Sequence, residues 1–77
     1  MEEIKDFGWA LRELKNGKKV SRNGWNGKNM FLLYREPSST EMCTLPYLVM
    51  FTADQKWVPW LASQTDVLAE DWGIVVE

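Results

Sequence analysis

Four apolar residues near the start of the chain, Phe7, Ala10, Leu11 and Leu14, stand at the i, i+3, i+4, i+7 spacing of a single helical face. Asp6 ahead of them offers the short acceptor side chain of an N-cap, and Asn16-Gly17 behind them offers a left-handed stop. Lys15, Lys18 and Lys19 suit the negative end of the helix. The pattern predicts a helix over Asp6 to Gly17. Trp9 falls off the stripe, roughly opposite it, and needs a partner of its own: another subunit, a loop or a ligand, with a subunit contact or loop packing favoured.

After Gly17 the pattern becomes that of strands. Lys18 to Arg22 is a short one, and Met30 to Arg35 (M-F-L-L-Y-R) is apolar on both faces, which calls for cover on both. A single helix covers one side of a sheet, so self-association is expected. Glu36 to Thr44 is polar and turn-rich, a loop that could close over a pocket. Leu45 to Thr52 and Lys56 to Trp60 form a hairpin around Asp54-Gln55, with a loop longer than two residues because the usual glycine is missing. Pro59 puts the returning strand at an edge or ends it. Ser63 precedes Asp66 by three, the spacing of a capping box, and predicts a brief helix to about Glu70 with Val67 and Leu68 pointing inward. Ile74 to Val76 is the last strand. The whole is a single α+β domain spanning residues 1–77: a small antiparallel sheet, an N-terminal helix packed on it, and a short second helix before the last strand.

Composition sharpens this. A chain of 77 residues with one cysteine and no histidine has no disulfide staple, no His/Cys metal set and no imidazole base. Stability must come from an aromatic-rich core or from oligomerisation, and five tryptophans suit both. No apolar run approaches a signal or membrane-span length, so a soluble cytoplasmic protein is expected. Charge is split along the chain. Arg12 to Arg35 holds seven basic residues against Glu13, and Glu36 to Glu77 holds seven acidic residues against Lys56. This is either a solvated surface, complementary subunit faces, or a basic rim for phosphates beside an acidic pocket for sugar hydroxyls. Net acidity argues against extended nucleic acid as a partner.

Two stretches carry candidate chemistry. Val58 to Trp72 (V-P-W-L-A-S-Q-T-D-V-L-A-E-D-W) sets Trp60 just before Ser63, Gln64, Thr65 and Asp66, an aromatic face beside hydroxyl, amide and carboxylate groups at a helix start. That helix end would suit a phosphate. The alternative is a core tryptophan followed by a capping run. Asn23 to Asn29 (N-G-W-N-G-K-N) places Trp25 between two Asn-Gly pairs, whose turn N–H groups can hold an anion with help from Lys28. The alternative there is a wide turn with Trp25 covering the core. Trp72, ending a short helix beside an apolar strand, is expected in the core, and Asp66 serves equally as cap or as ligand group.

Three motifs together resemble a known family: F-G-x-A-L-x-x-L-K-x-G-K-K-V over Phe7 to Val20, G-W-N-G-K over Gly24 to Lys28, and L-P-Y at Leu45 to Tyr47 with the Val58 to Trp72 run. The chain is similar, outside the 36–44 loop, to the Thoeris anti-defence protein two family. It departs at Trp9, where a small or polar residue is expected, and at Gln55, where glycine is usual. The resemblance implies a phage sponge, not an enzyme, that sequesters glycocyclic ADP-ribose made by TIR-domain proteins, with some relatives holding cyclic oligonucleotides. It also implies a homo-oligomer, a dimer or tetramer, with ligand pockets between subunits, and no cofactor. On that view Trp25 and Trp60 stack on adenine, and the turn at Asn26 and Gly27 with Arg22 or Lys28 receives phosphate. Ser63, Gln64 and Thr65 bond base edge or phosphate, and Asp66 or Asp71 accepts ribose hydroxyls. Competing classes are a nucleotide-cleaving enzyme, for which Asp66, Glu70 and Asp71 would be the acid–base groups, and a protein-binding inhibitor of an immune protein.

Overall fold

The computed structural model describes residues 5–25, 29–37 and 44–75. Helix α1 runs Phe7–Lys15, and its ends are built as the sequence predicts. The Asp6 carboxylate accepts the backbone N–H of Trp9 at 2.9 Å. Asn16 is the C-cap, and Gly17 takes φ +88°, the left-handed turn for which a side chain is a penalty.

Strands β1 (Val20–Arg22), β2 (Phe31–Arg35), β3 (Tyr47–Phe51), β4 (Trp57–Pro59) and β5 (Trp72–Ile74) form one antiparallel sheet in the order β4-β3-β2-β1-β5. Helix α2 (Gln64–Val67) precedes β5. This is the predicted small α+β fold. β4 lies at an edge and ends on Pro59, whose missing N–H is tolerated there. The β3–β4 loop turns through Gln55 at φ +65°, so the position where glycine is usual keeps a left-handed backbone without one.

The register sorts the side chains, because opposed residues of antiparallel strands share a face. Val20 opposes Leu32 and Ile74, Arg22 opposes Trp72, and Leu32 opposes Met50. That face meets α1. Ala10 and Leu14 of the helix close with Val20, Leu32 and Trp72 into the buried core, flanked by Phe7, Leu11, Tyr34, Leu48 and Met50. Trp9 is half-buried at the margin of this core, and the Lys5 ammonium sits over its ring at 5.3 Å. The segment before the helix thus supplies the partner that the off-stripe position required.

The other face carries Phe31, Leu33, Val49, Phe51 and Trp57, since Phe31 opposes Phe51, Leu33 opposes Val49 and Phe51 opposes Trp57. Phe31 and Phe51 stack at 5.2 Å, Trp57 meets Phe51 at 4.8 Å, and the Lys19 ammonium lies over Phe31 at 4.7 Å. Neither helix packs here, and Trp57 is 53% exposed.

Two expectations are corrected. The last strand begins at Trp72, two residues earlier than Ile74, because Trp72 pairs with Arg22 while its ring enters the core. Val76 lies outside the described residues. The second helix is a single turn, and Val67 and Leu68 point outward, 41% and 77% exposed. The cause is the anchor at Asp66, whose carboxylate turns inward to Arg22. At about 100° per residue the next two side chains rotate away, and Ala69 is the one that returns to the core.

Candidate functional site

The polar centre of the molecule lies where β1 ends, β5 begins and α2 crosses above them. Arg22, at the end of β1, stands on the helix-covered face opposite Trp72. Its guanidinium donates from Nε to Asp71 Oδ1 at 2.8 Å and from Nη1 to Asp66 Oδ1 at 2.8 Å. Two carboxylates from separate elements thus share one planar fork, a geometry that suits arginine and not a point charge. Asp71 Oδ2 accepts the backbone N–H of Gly24 at 2.8 Å, and the Asp71 carbonyl accepts that of Asn23 at 3.0 Å. The turn after β1 is therefore tied to β5. A Cβ on Gly24 would sit 3.1 Å from Asp71 Oδ2 and 3.2 Å from Arg22 Nη2, which is why glycine fits.

Trp25 follows. Its indole Nε1–H donates to Asp66 Oδ1 at 3.2 Å, and its ring meets Trp72 edge-on at 5.4 Å and 80°. Trp72 is 2% exposed and donates its own Nε1–H to the Asp66 carbonyl at 3.1 Å. Phe7 and Trp60 pack on its other sides at 5.4 and 6.2 Å. Trp72 is thus the core residue expected, with half-buried Trp25 and Trp60 against it.

Electrostatics follow from these contacts. The Arg22 guanidinium is pushed above its ordinary value by its hydrogen bonds to Asp71 first and Asp66 second, against a burial cost. Burial alone would raise the Asp66 carboxyl, but hydrogen bonds from Arg22, Trp25 and Ser63 together outweigh it and hold the group below the usual range. Asp71 is lowered chiefly by Arg22, against burial and with help from the Gly24 N–H. With both carboxylates ionised, the three side chains sum to one negative charge.

Of the sequence candidates, the fold brings Arg22, Trp25, Asp66 and Asp71 into direct contact across more than forty residues of chain. Ser63 caps α2, its Oγ accepting the Asp66 N–H at 3.1 Å. Gln64 and Thr65 are exposed on the turn, and Trp60 reaches the cluster through Trp72. At one turn, α2 is too short for much of a dipole at its N-terminus. Asn26, Gly27 and Lys28 lie outside the described residues.

Two features escaped the sequence reading. The Gly24 N–H was not separated from its neighbours as a carboxylate ligand. On the opposite sheet face, an open cavity of about 310 Å³ is lined by Arg35, Tyr47, Val49 and Trp57. Its signal was present in the alternation of β3 and β4, but only the register joins those residues. Among the described residues no group of His, Cys, Asp or Glu could hold a metal, and no helix is long and apolar enough to cross a membrane.

Comparison with known proteins adds a family. A domain family described as Tad2-like, Thoeris anti-defense 2-like, matches residues 5–75. A curated relative, Thoeris anti-defense 2 of Bacillus phage SP01, is 44% identical over an 88-residue alignment that covers 97% of this chain and 99% of the relative.

Proposed function

Since the chain belongs to the Thoeris anti-defence 2-like family, an anti-defence role follows, and we propose that it exerts that role as a sponge. It binds a cyclic ADP-ribose-type signal made by TIR-domain proteins in the host cytoplasm and withholds it, uncleaved, from the downstream effector. The observation that carries this reading is the match along almost the whole chain.

The geometry supports it in two ways. Trp25 and Trp60 are half-buried aromatic faces braced on Trp72, so a base stacking on them meets rings that are already ordered. Stacking on such a ring contributes about 1–3 kcal/mol per base. Ser63, Gln64 and Thr65 border them with exposed hydroxyl and amide groups for base edge or phosphate. In this reading Asn26, Gly27 and Lys28 take phosphate, and Asp66 or Asp71 takes ribose hydroxyls. Neither carboxylate suits acid–base work near neutral pH, because both are held below the usual range.

The sponge also works as a homo-oligomer. The sheet face that α1 leaves open, with Phe31, Phe51 and Trp57 at its centre, is where a second copy gains most by burial.

Thermal unfolding against cyclic ADP-ribose isomers and cyclic di- and trinucleotides tests the proposal. A ligand at a hundred times its Kd adds about 2.7 kcal/mol. The expected result is one strong hit, lost in Trp25→Ala or Trp60→Ala variants that still fold, with the ligand recovered unchanged after denaturation. A cyclic oligonucleotide hit would reassign the signal, cleaved ligand would mean an enzyme, and a flat panel on a folded oligomer would point to a protein partner.

A further inference from the structure

Arg22 invites the role of phosphate receptor, being the cation beside Trp25. The geometry points to a different one: we propose that Arg22 is a positioning residue, which clasps Asp66 and Asp71 and thereby holds the Trp25 ring and the turn before it in a binding-ready pose. The role rests on the reading that Trp25 is the stacking face for a nucleotide signal.

Three observations carry it. First, the guanidinium is already engaged by two carboxylates. Nε and Nη1 are each 2.8 Å from a carboxylate oxygen, and Nη2 is 3.5 Å from Asp71 Oδ2. A phosphate approaching this group meets a cluster with one cation and two anions, so the local charge opposes it. Second, Asp66 Oδ1 is shared. The same oxygen that accepts Arg22 Nη1 accepts Trp25 Nε1 at 3.2 Å, so the place of the guanidinium fixes the place of the indole. Third, the ring has a second restraint, its edge contact with Trp72 at 5.4 Å. A bond at Nε1 and a ring contact together leave the indole one plane. The backbone is held the same way, with the Trp25 N–H on the Arg22 carbonyl at 3.2 Å and the Gly24 N–H on Asp71. The phosphate role then passes to other groups of the site.

The two roles predict opposite responses. If Arg22 received phosphate, Arg22→Lys would keep a cation in place and most of the affinity. The Trp25 indole, bonded to Asp66 and not to Arg22, would stay in place in that variant. If Arg22 positions Trp25, Lys, a shorter point charge without the planar fork, does not hold the two carboxylates in this geometry, Ala removes the acceptor of the indole, and both variants weaken binding together.

The test measures cyclic ADP-ribose binding by calorimetry in the wild type, Arg22→Lys and Asp66→Ala, alongside the indole Nε1–H signals in a nitrogen–proton spectrum, with Trp25→Phe to assign its peak. The expected result is a Trp25 signal that moves and exchanges faster with solvent in both variants while the Trp9 and Trp57 indoles stay, with affinity down about tenfold or more. Affinity kept in Arg22→Lys or raised in Asp66→Ala overturns the proposal, as does a Trp25 signal that stays in place. Should Arg22→Lys not fold, Arg22→Gln carries the same readouts. A wild type that ignores cyclic ADP-ribose defeats the sponge reading for that ligand, while the indole signals still decide whether Arg22 holds Trp25.

Discussion

Trp72 offers the strictest test of the fold. It is the largest of the buried side chains among the described residues, 2% exposed, with Phe7, Trp25 and Trp60 around it and its Nε1–H on the Asp66 carbonyl. Trp72→Ala removes all of these, and an aromatic-to-alanine change in a core costs about 3–5 kcal/mol. A domain of this length holds roughly 4–12 kcal/mol in all, so the variant should lose from about a quarter of its stability to all of it. Trp72→Phe is the more informative change. It keeps a ring on Phe7 but loses the indole hydrogen bond to the Asp66 carbonyl, which still accepts the Ala69 N–H at 3.3 Å, a loss of about 1 kcal/mol, and leaves a gap where the second ring stood. The sum should be near 2–3 kcal/mol, and at roughly 4–8 °C per kcal/mol for a domain this small the melting temperature should drop by at least ~10 °C. Urea unfolding at one fixed protein concentration measures it, with the slope m unchanged if the native state alone is affected. A loss under about 0.5 kcal/mol for Trp72→Ala, the size of an ordinary surface change, would refute the placement of Trp72 at the centre of the core.

Other outcomes follow from the same coordinates. Asp71→Asn should destabilise the protein at pH 7, by an amount that shrinks as pH falls below the unfolded carboxyl value. The folded carboxyls of Asp66 and Asp71 lie below their unfolded value of about 3.9, so their stabilisation is complete above that pH and is lost as pH falls through the lower folded values. Stability curves of wild type and variant should run parallel from pH 6 to 8 and converge in acid, and a gap that does not shrink in acid would contradict the ion pair. Gly17→Ala should cost about 1–2 kcal/mol by thermal melts, since φ +88° penalises any side chain although the space around it is open. Trp57→Ser should lower the mass measured by sedimentation while the far-UV spectrum stays the same, because Trp57 lies on the open sheet face and not in the core. A variant that keeps its mass would place the subunit contact elsewhere.

How much of this was legible differs from element to element. α1 and its caps were readable because period, Asp6 and Asn16-Gly17 act within a few residues of one another. The same holds for the hairpin around Gln55 and for the edge strand ended by Pro59. α2 was misread at Val67 and Leu68, since a single turn has no periodicity to measure and its orientation was set from outside by Arg22. Trp72 was legible as core but not as strand, because its pairing with Arg22 spans most of the chain. The candidate list already contained Arg22, Trp25, Asp66 and Asp71, yet nothing local joined them.

By itself the sequence determined the number of elements, their caps and turns, and the family motifs, because each depends on short-range sterics, hydrogen bonding and side-chain period. Only the tertiary structure decided that one guanidinium would bridge two carboxylates, that Trp25 would hang from Asp66, and that Phe31, Phe51 and Trp57 would gather on the sheet face away from α1. These depend on register and on charge partners 20 to 49 positions apart in the chain, distances at which no local rule acts and packing alone chooses the neighbour.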